Sequence, residues 1–289
     1  MSATDRLNTI KGHLSGNYPQ GLLAGEVAII TGSGQGIGKS CAEVFAREGA
    51  FVVVTDIDAS KSDQVAADIN AAGGKAISIP GDVLDASFPE RLVEETVKAF
   101  GKINHIVNNA GFTYDGMLHK ISDKQWDVML AVHNTAPFRI VRAAAKYLRK
   151  KDGQNKSIVN VSSTSGLHGN VGQANYATAK AGIVGLTKTI AKEWGMFGVR
   201  CNTVAFGWVD TRLTRAKEAG ATIEVDGQKV ALGIPTGNKS GARPNPFADI
   251  PLGRAGTADE VAGSVLTLCT PLTSYVTGHT LEVTGGRGI

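Results

Sequence analysis

The stretch GQANYATAK, Gly172 to Lys180, sets a tyrosine four residues ahead of a lysine. On a helix that spacing brings the two side chains to one face. A phenol with a pKa of about 10 is a poor base at neutral pH, and a neighbouring ammonium favours its phenolate. Tyr176 and Lys180 therefore have the makings of an acid–base pair, as against a packed tyrosine and a solvated lysine.

A second stretch, TGSGQGIG from Thr31 to Gly38, lies between an apolar β-branched run and a segment of helical periodicity. Its spacing is TGxxxGxG, with Gly32, Gly36 and Gly38. Glycines there let the backbone turn tightly and approach a pyrophosphate, whose charge is favoured at a helix N-terminus. Asp56 ends the next apolar run, where a carboxylate can accept hydrogen bonds from the ribose hydroxyls of an adenosine and would repel a 2′-phosphate. Gln35 offers no cation to offset that repulsion and no arginine follows Asp56 directly; Lys39 and Lys61 are the nearest cations. The expectation is NAD rather than NADP. Asp82, in the GDV after the third apolar run, is placed either to meet the adenine or to cap a helix.

These groups need a scaffold, and the pattern supplies one. EVAIITG, FVVVTD, KAISIPGDV, INHIVNNAG, SIVNVSS, VRCNTVAFG and HTLEVTGG read as strands. Between them run helical patterns, including IGKSCAEVFAREGA, KSDQVAADINAAGG, FPERLVEETVKAFG, TADEVAGSVLTLCT and one long segment over residues 122–151 in which Pro137 predicts a kink. Apolar runs without period-two alternation imply strands covered on both faces. The expected fold is α/β: a Rossmann-type, doubly wound parallel sheet of about seven strands with helices on both faces, in one domain over residues 25–289. Residues 212–250 break the alternation. Asp226–Gly227 there sits between two short β-like runs, a hairpin signal. Because the segment follows the sixth strand a substrate lid is the preferred reading, with an inert surface insertion as the alternative.

Composition closes off other classes. The chain of 289 residues is 42% hydrophobic and 19% charged, with 36 glycines and a net charge of +4. The densest basic run, Arg149–Lys151, looks like a helix end rather than a nucleic-acid patch. The apolar runs are strand-sized, too short to span a bilayer. Three dispersed cysteines without CxxC or Cys/His spacing point to no metal and no disulfide framework, and to a reducing, cytoplasmic setting. Residues 1–24 lack the apolar core of a secretory signal; Arg6 and Lys11 leave organelle targeting open, and a disordered or clasping extension is the preferred reading.

In order and approximate spacing, TGSGQGIG, NNAG at Asn108–Gly111, VSSTSG and YATAK resemble the short-chain dehydrogenase/reductase family. The likeness covers residues 25–289 and is nearest to 3-oxoacyl-carrier-protein reductases, through NNAGFTYDGML, GNVGQANYATAKAG and YVTGHTLEVTGG. The resemblance implies hydride exchange between a nicotinamide and a secondary alcohol or ketone, with Tyr176 as acid/base, Lys180 assisting it and holding the nicotinamide ribose, and Ser163 donating to the substrate oxygen. The family's serine matches Ser163 rather than Ser162. The resemblance also implies a cofactor site made by Gly32, Ser33, Gln35, Gly36, Ile37, Gly38, Asp56 and Ile57. Asp82, Val83, Asn109, Ala110 and Gly111 continue it, and Gly207, Val209 and Thr211 complete it beside Tyr176 and Lys180. A homotetramer or dimer, built on the helices around NYATAKAG and the last strand, is implied as well. A non-catalytic dinucleotide-binding sensor or scaffold is the alternative, against which the joint presence of Ser163, Tyr176 and Lys180 speaks.

Three departures stand out. The family's water-anchoring asparagine on the long central helix falls, counting seven residues from Trp126, at His133. Either His133 enters the proton relay, which is the preferred reading, or a helix irregularity near Pro137 presents Asn134, or His133 is packed and the relay is built differently. Phe206 replaces a proline of the family, and Asp56 argues against the NADPH usual for carrier-protein reductases. The substrate pocket is expected from Thr113, Tyr114, Met117, His168, Asn170, Phe206 and Trp208, a mixture suited to a moderately apolar carbonyl or alcohol. Arg212 and Arg215, at the start of the lid, are placed either to meet a phosphopantetheine or nucleotide phosphate or to face water, and water is the preferred reading.

Overall fold

The computed structural model describes residues 21–215, 220–225, 228–233, 245 and 247–288. Residues 1–20 of the extension expected over 1–24, and much of the 212–250 segment, thus lie outside the described residues.

The apolar runs form strands β1 (Val27–Thr31), β2 (Phe51–Thr55), β3 (Lys75–Ser78), β4 (His105–Asn108), β5 (Lys156–Ser163) and β6 (Val199–Phe206). Two short strands, β7 (Thr222–Val225) and β8 (Gln228–Ala231), pair antiparallel on their own, and β9 (Thr280–Val283) returns to the main sheet. That sheet has seven strands in the order β3-β2-β1-β4-β5-β6-β9, every pair parallel. The chain winds outward from β1 to β3, then crosses back to place β4 on the other side of β1. At such a switch point the loops leaving β1 and β4 diverge and open a crevice at the carboxyl ends of the strands.

Helices α1 (Gly36–Arg47), α2 (Ala59–Ala71), α3 (Phe88–Phe100), α4 (Asp123–Leu130), α5 (Ala136–Ala143), α6 (Thr164–His168), α7 (Ala174–Trp194) and α8 (Ala258–Cys269) cover both faces. Alternation along the strands sorts the core into two layers. Ala28, Ile30, Val52, Val54, Val107, Val159 and Val204 pack with α1 and α8, whereas Ile29, Val53, Ile106, Ile158 and Cys201 pack with α3, α5 and α7. Helix starts follow local chemistry. Ser122 with Gln125, and Thr257 with Glu260, form reciprocal capping boxes that satisfy otherwise orphaned N–H groups. At Gly101 the left-handed backbone, φ 77°, ends α3 at no Cβ cost.

The long helix expected over 122–151 is interrupted. Ala131–Thr135 form a π-turn, in which the Ala136 N–H reaches back to the Ala131 carbonyl. Pro137 has no N–H to give, and its ring crowds the carbonyl four residues earlier. The wider turn accommodates both. A short further turn at Ala145–Leu148 follows. Among the described residues no helix is long and apolar enough to cross a membrane.

Thr257→Ala removes the cap of a helix whose Val261, Ala262 and Val265 are wholly or nearly wholly buried. We expect about 1 kcal/mol of lost stability in urea unfolding; an unchanged midpoint would show that the box contributes nothing.

Candidate active site

The loop TGSGQGIG joins β1 to α1, and its glycines are explained by what surrounds them. A Cβ on Gly38 would stand 2.2 Å from the Gly32 carbonyl oxygen, and one on Gly32 2.8 Å from the Ala110 Cα. β4 approaches because Asn109 stitches it to the loop, its amide donating to the carbonyls of Thr31 at 2.9 Å and Gly32 at 3.1 Å. The Thr31 hydroxyl in turn accepts from the backbone N–H groups of Asn109 and Ala110, both at 3.0 Å. Here the switch point becomes a cleft of about 520 Å³.

Its walls carry most of the residues expected to hold a cofactor: Gly32, Gln35, Gly36, Ile37 and Gly38 from the loop, and Asp56 and Ile57 after β2. Asp82 and Val83 lie after β3, Asn109, Ala110 and Gly111 after β4, and Thr211 after β6. Ser33 turns inward instead; it is 0% exposed and its hydroxyl donates to the Ile30 carbonyl at 2.6 Å. Gly207 and Val209 are occupied in holding the loop after β6, through bonds to the Val283 carbonyl and from the Thr214 hydroxyl. Asp56 accepts from the Gly34 N–H at 3.0 Å and the Asp58 N–H at 3.1 Å. Those bonds orient it at the cleft wall. Asp82 accepts from the Leu84 N–H at 2.9 Å, so it braces a turn and caps no helix, because α3 starts later, after Ser87. The narrow glycine cradle and an oriented carboxylate after β2 fit a dinucleotide.

Beside the cleft, β5 ends in two serines that alternation sends to opposite sides. Ser162 is 2% exposed and donates to the Lys180 carbonyl at 2.7 Å. Ser163 caps α6, its hydroxyl accepting from the Ser165 N–H at 3.2 Å, and it acts on the Tyr176 phenol closely enough to lower its pKa. Tyr176 and Lys180 lie one turn apart on α7, with the Lys180 Nζ 5.7 Å from the centre of the Tyr176 ring. Lys180 is 5% exposed, and its ammonium donates to the Val161 carbonyl at 2.7 Å. Burial pushes the Tyr176 phenol up to about 12, Ser163 working against it, and pulls Lys180 down to about 7. Asn175 is a residue that the sequence reading missed. Wholly buried, it donates to the carbonyls of Tyr114 at 3.0 Å and Gln125 at 3.1 Å, and accepts from the Tyr176 N–H at 2.8 Å. It thereby pins the start of α7 to α4; its only sequence signal was adjacency to Tyr176.

The π-turn brings both relay candidates inward. The His133 ring meets that of Tyr176 edge-on, centroids 5.2 Å apart. Its Nε2–H donates to the Phe112 carbonyl at 2.9 Å, and Nδ1 is buried without a partner. Burial, and then the charge of Lys180, hold its pKa well below the usual range, so the imidazole is neutral. Asn134 donates to the Ala179 carbonyl at 2.9 Å, and its Oδ1 is likewise buried and unpartnered. The irregularity anticipated near Pro137 is present, and it turns both side chains inward.

The expected substrate residues divide. Phe206 is 5% exposed within the core layer under α8, so its side chain is taken up in packing rather than facing a pocket. Trp208 stacks edge-on against Phe247, centroids 5.7 Å apart. His168 lies 3.6 Å from Glu282 at the surface, and the exposed Asn170 donates to Gln173 at 2.9 Å. What the sequence did not disclose is an apolar patch of Phe112, Val128, Met129 and Val132 with Val230 and Leu232 from β8 and just beyond it, which Tyr114, Tyr176 and Leu213 flank. Arg215 is paired with Asp210 at 2.9 Å at the surface, as expected, but Arg212 lines the cleft. The expectation that Arg212 faces water is corrected: it sits across from Gln35 because the loop after β6 folds back over the dinucleotide crevice.

A family described as enoyl-(acyl carrier protein) reductase, within the short-chain dehydrogenases/reductases, matches residues 32–287. The chain belongs to the short-chain dehydrogenase/reductase family. It is similar to the 3-oxoacyl-[acyl-carrier-protein] reductase FabG of Thermotoga maritima, 36% identical over 264 residues, covering 91% of this chain and 98% of that protein. The 3-oxoacyl-[acyl-carrier-protein] reductase of Synechocystis is 36% identical over 267 residues, 91% and 97% of the two chains. The FabG of Escherichia coli is 34% identical over 262 residues, again 91% and 97%. The chain is accordingly an oxidoreductase acting on CH–OH or C=O groups with a nicotinamide dinucleotide.

Lys180 sets a pH signature on stability. Its folded pKa of about 7 lies below the ordinary 10.5, so between these values the unfolded chain binds more protons and stability rises with pH. Below about 7 both states hold the proton and the cost of burying the ammonium is felt in full. Lys180→Met should therefore gain most over wild type near pH 6, the difference shrinking towards pH 10. Urea titrations of both proteins across that range check it; a constant difference would refute the burial argument.

Proposed function

We propose that the protein interconverts a 3-oxoacyl thioester and its 3-hydroxyacyl counterpart, with NAD(H) preferred. The observation that carries this reading is the convergence of Ser163, Tyr176 and Lys180 beside the dinucleotide cleft. When bound, the nicotinamide supplies or accepts the hydride. The protein's own part is to manage the oxygen and its proton. Ser163 and the Tyr176 phenol converge on one point where a substrate oxygen can accept from both. A phenol at about 12 holds its proton at neutral pH and can donate it to a carbonyl oxygen as the alcohol forms. Lys180 lowers the cost of the resulting phenolate by its charge. His133, with its unpartnered Nδ1 beside Tyr176 and Lys180, is proposed as the positioning residue of the proton path.

The acyl chain finds its support in the apolar patch around Phe112, Met129 and Val132, on which β8 is seated. We accordingly take residues 212–250 as a substrate lid on a catalytic unit spanning 25–289. Serine and tyrosine donors aimed together suit a carbonyl oxygen, as the names of the relatives indicate, better than the carbon–carbon double bond named by the family description. Asp56 supports NAD(H): its oriented carboxylate suits ribose hydroxyls and repels a 2′-phosphate. The three cysteines, all free and buried, suit the reducing cytoplasm. A dimer or tetramer is proposed as well, with the edge strand β9 and the fully exposed Tyr275 as surfaces suited to it.

Tyr176→Phe should cut turnover of 3-oxoacyl thioesters about 10²- to 10⁴-fold with dinucleotide binding retained. Full activity of that variant on every accepted substrate would sink the mechanism. His133→Ala and Asn134→Ala, compared in kcat and in the pH profile, locate the proton path. We expect the histidine variant to lose kcat about tenfold or more with KM held; unchanged turnover removes His133 from the path.

A further inference from the structure

We infer that Arg212, carried on the loop after β6, is the residue that admits a 2′-phosphate on the adenosine ribose, and so tempers the preference for NAD(H) that Asp56 imposes. The inference rests on the proposed dinucleotide site and concerns its specificity. The glycine loop has Gln35 where it needs a cation, and the fold supplies one from elsewhere. Arg212 is half-buried in the cleft wall, and its guanidinium donates to the Gln35 carboxamide oxygen at 2.8 and 3.3 Å when that amide is turned to face it. The carboxylates whose charge acts on it are those of Asp56 and Asp58, both just after β2, at the ribose end of the cleft.

The competing cations are already engaged. Lys61 pairs with Asp58 at 2.7 Å, Lys39 with Glu43 at 3.6 Å and Asp68 at 3.9 Å, and Arg215 with Asp210 at 2.9 Å. Among the described residues Arg212 has no carboxylate within ion-pair distance, and its strongest contact is a neutral amide that a phosphate can displace. A guanidinium presents a planar fork matched to phosphate oxygens. Placed beside Asp56, it offsets the repulsion that this carboxylate exerts on a dianionic group while leaving the ribose hydroxyls their acceptor. Asp56 then discriminates for NAD(H), and Arg212 lowers the penalty for NADP(H).

Three small ligands separate the 2′-phosphate from the rest of the dinucleotide: 5′-AMP, ADP and 2′,5′-ADP. Their dissociation constants are measured by calorimetry on wild type, Arg212→Gln and Arg212→Lys. The expected result is that Arg212→Gln raises the ratio of the 2′,5′-ADP constant to the AMP constant about 10- to 100-fold, with Arg212→Lys intermediate and the ADP-to-AMP ratio held. A rise in the ADP-to-AMP ratio instead would place Arg212 on the diphosphate and overturn the inference. So would equal changes for all three ligands, or none, or a wild type that binds AMP and not 2′,5′-ADP. A wild type that binds none of the three would refute the dinucleotide site itself, a different failure. Retained circular dichroism in both variants distinguishes a lost contact from a lost fold.

Discussion

An ammonium group taken almost entirely out of water is the constraint around which this protein is arranged. Lys180 donates to one carbonyl, that of Val161, on the strand β5 that also carries Ser163, and burial still draws its pKa down to about 7. The same desolvation that depresses the lysine raises the phenol of Tyr176. Burial alone thus drives the two pKa values apart, the phenol holding its proton more firmly and the ammonium less, before any ligand arrives. Such a site is costly, and the two apolar layers of the sheet must carry it.

The second constraint is geometric. β4 must cross back beside β1, and Asn109 and Thr31 fasten that junction through four hydrogen bonds. Glycine at 32 and 38 is what the junction leaves room for. Because the crevice opens there, the glycine loop and the group Ser163, Tyr176 and Lys180 share one end of the sheet. The π-turn at Ala131–Thr135 completes that end by widening a helix that Pro137 would otherwise strain, and it points His133 and Asn134 at α7. A bare dinucleotide-binding protein would need the crevice; it would have no use for a phenol, a serine and a buried lysine converging beside it.

Local pattern alone determined a good deal. Strands buried on both faces, glycine-ended helices and the strand–turn–helix around Gly32–Gly38 follow from periodicity and turn chemistry, which act over a few residues. The doubly wound sheet, the glycine cleft and the shared face of Tyr176 and Lys180 were legible for that reason. The antiparallel pairing of β7 and β8 around Asp226–Gly227 was legible too, since a hairpin is set by its nearest neighbours.

Tertiary structure decided what depends on residues far apart in the chain. Phe206 looked available because it stands beside the expected nicotinamide site, yet strand alternation under α8 turns it into the core. Asn175 gains its role only when α4 and the loop after β4 come within reach of its amide. Arg212 read as a surface cation, and only the fold brings it across the crevice to Gln35. A residue's type and its near neighbours state what it can do; the packing of distant segments states what it faces, because burial, field and hydrogen-bond partner are properties of the assembled neighbourhood.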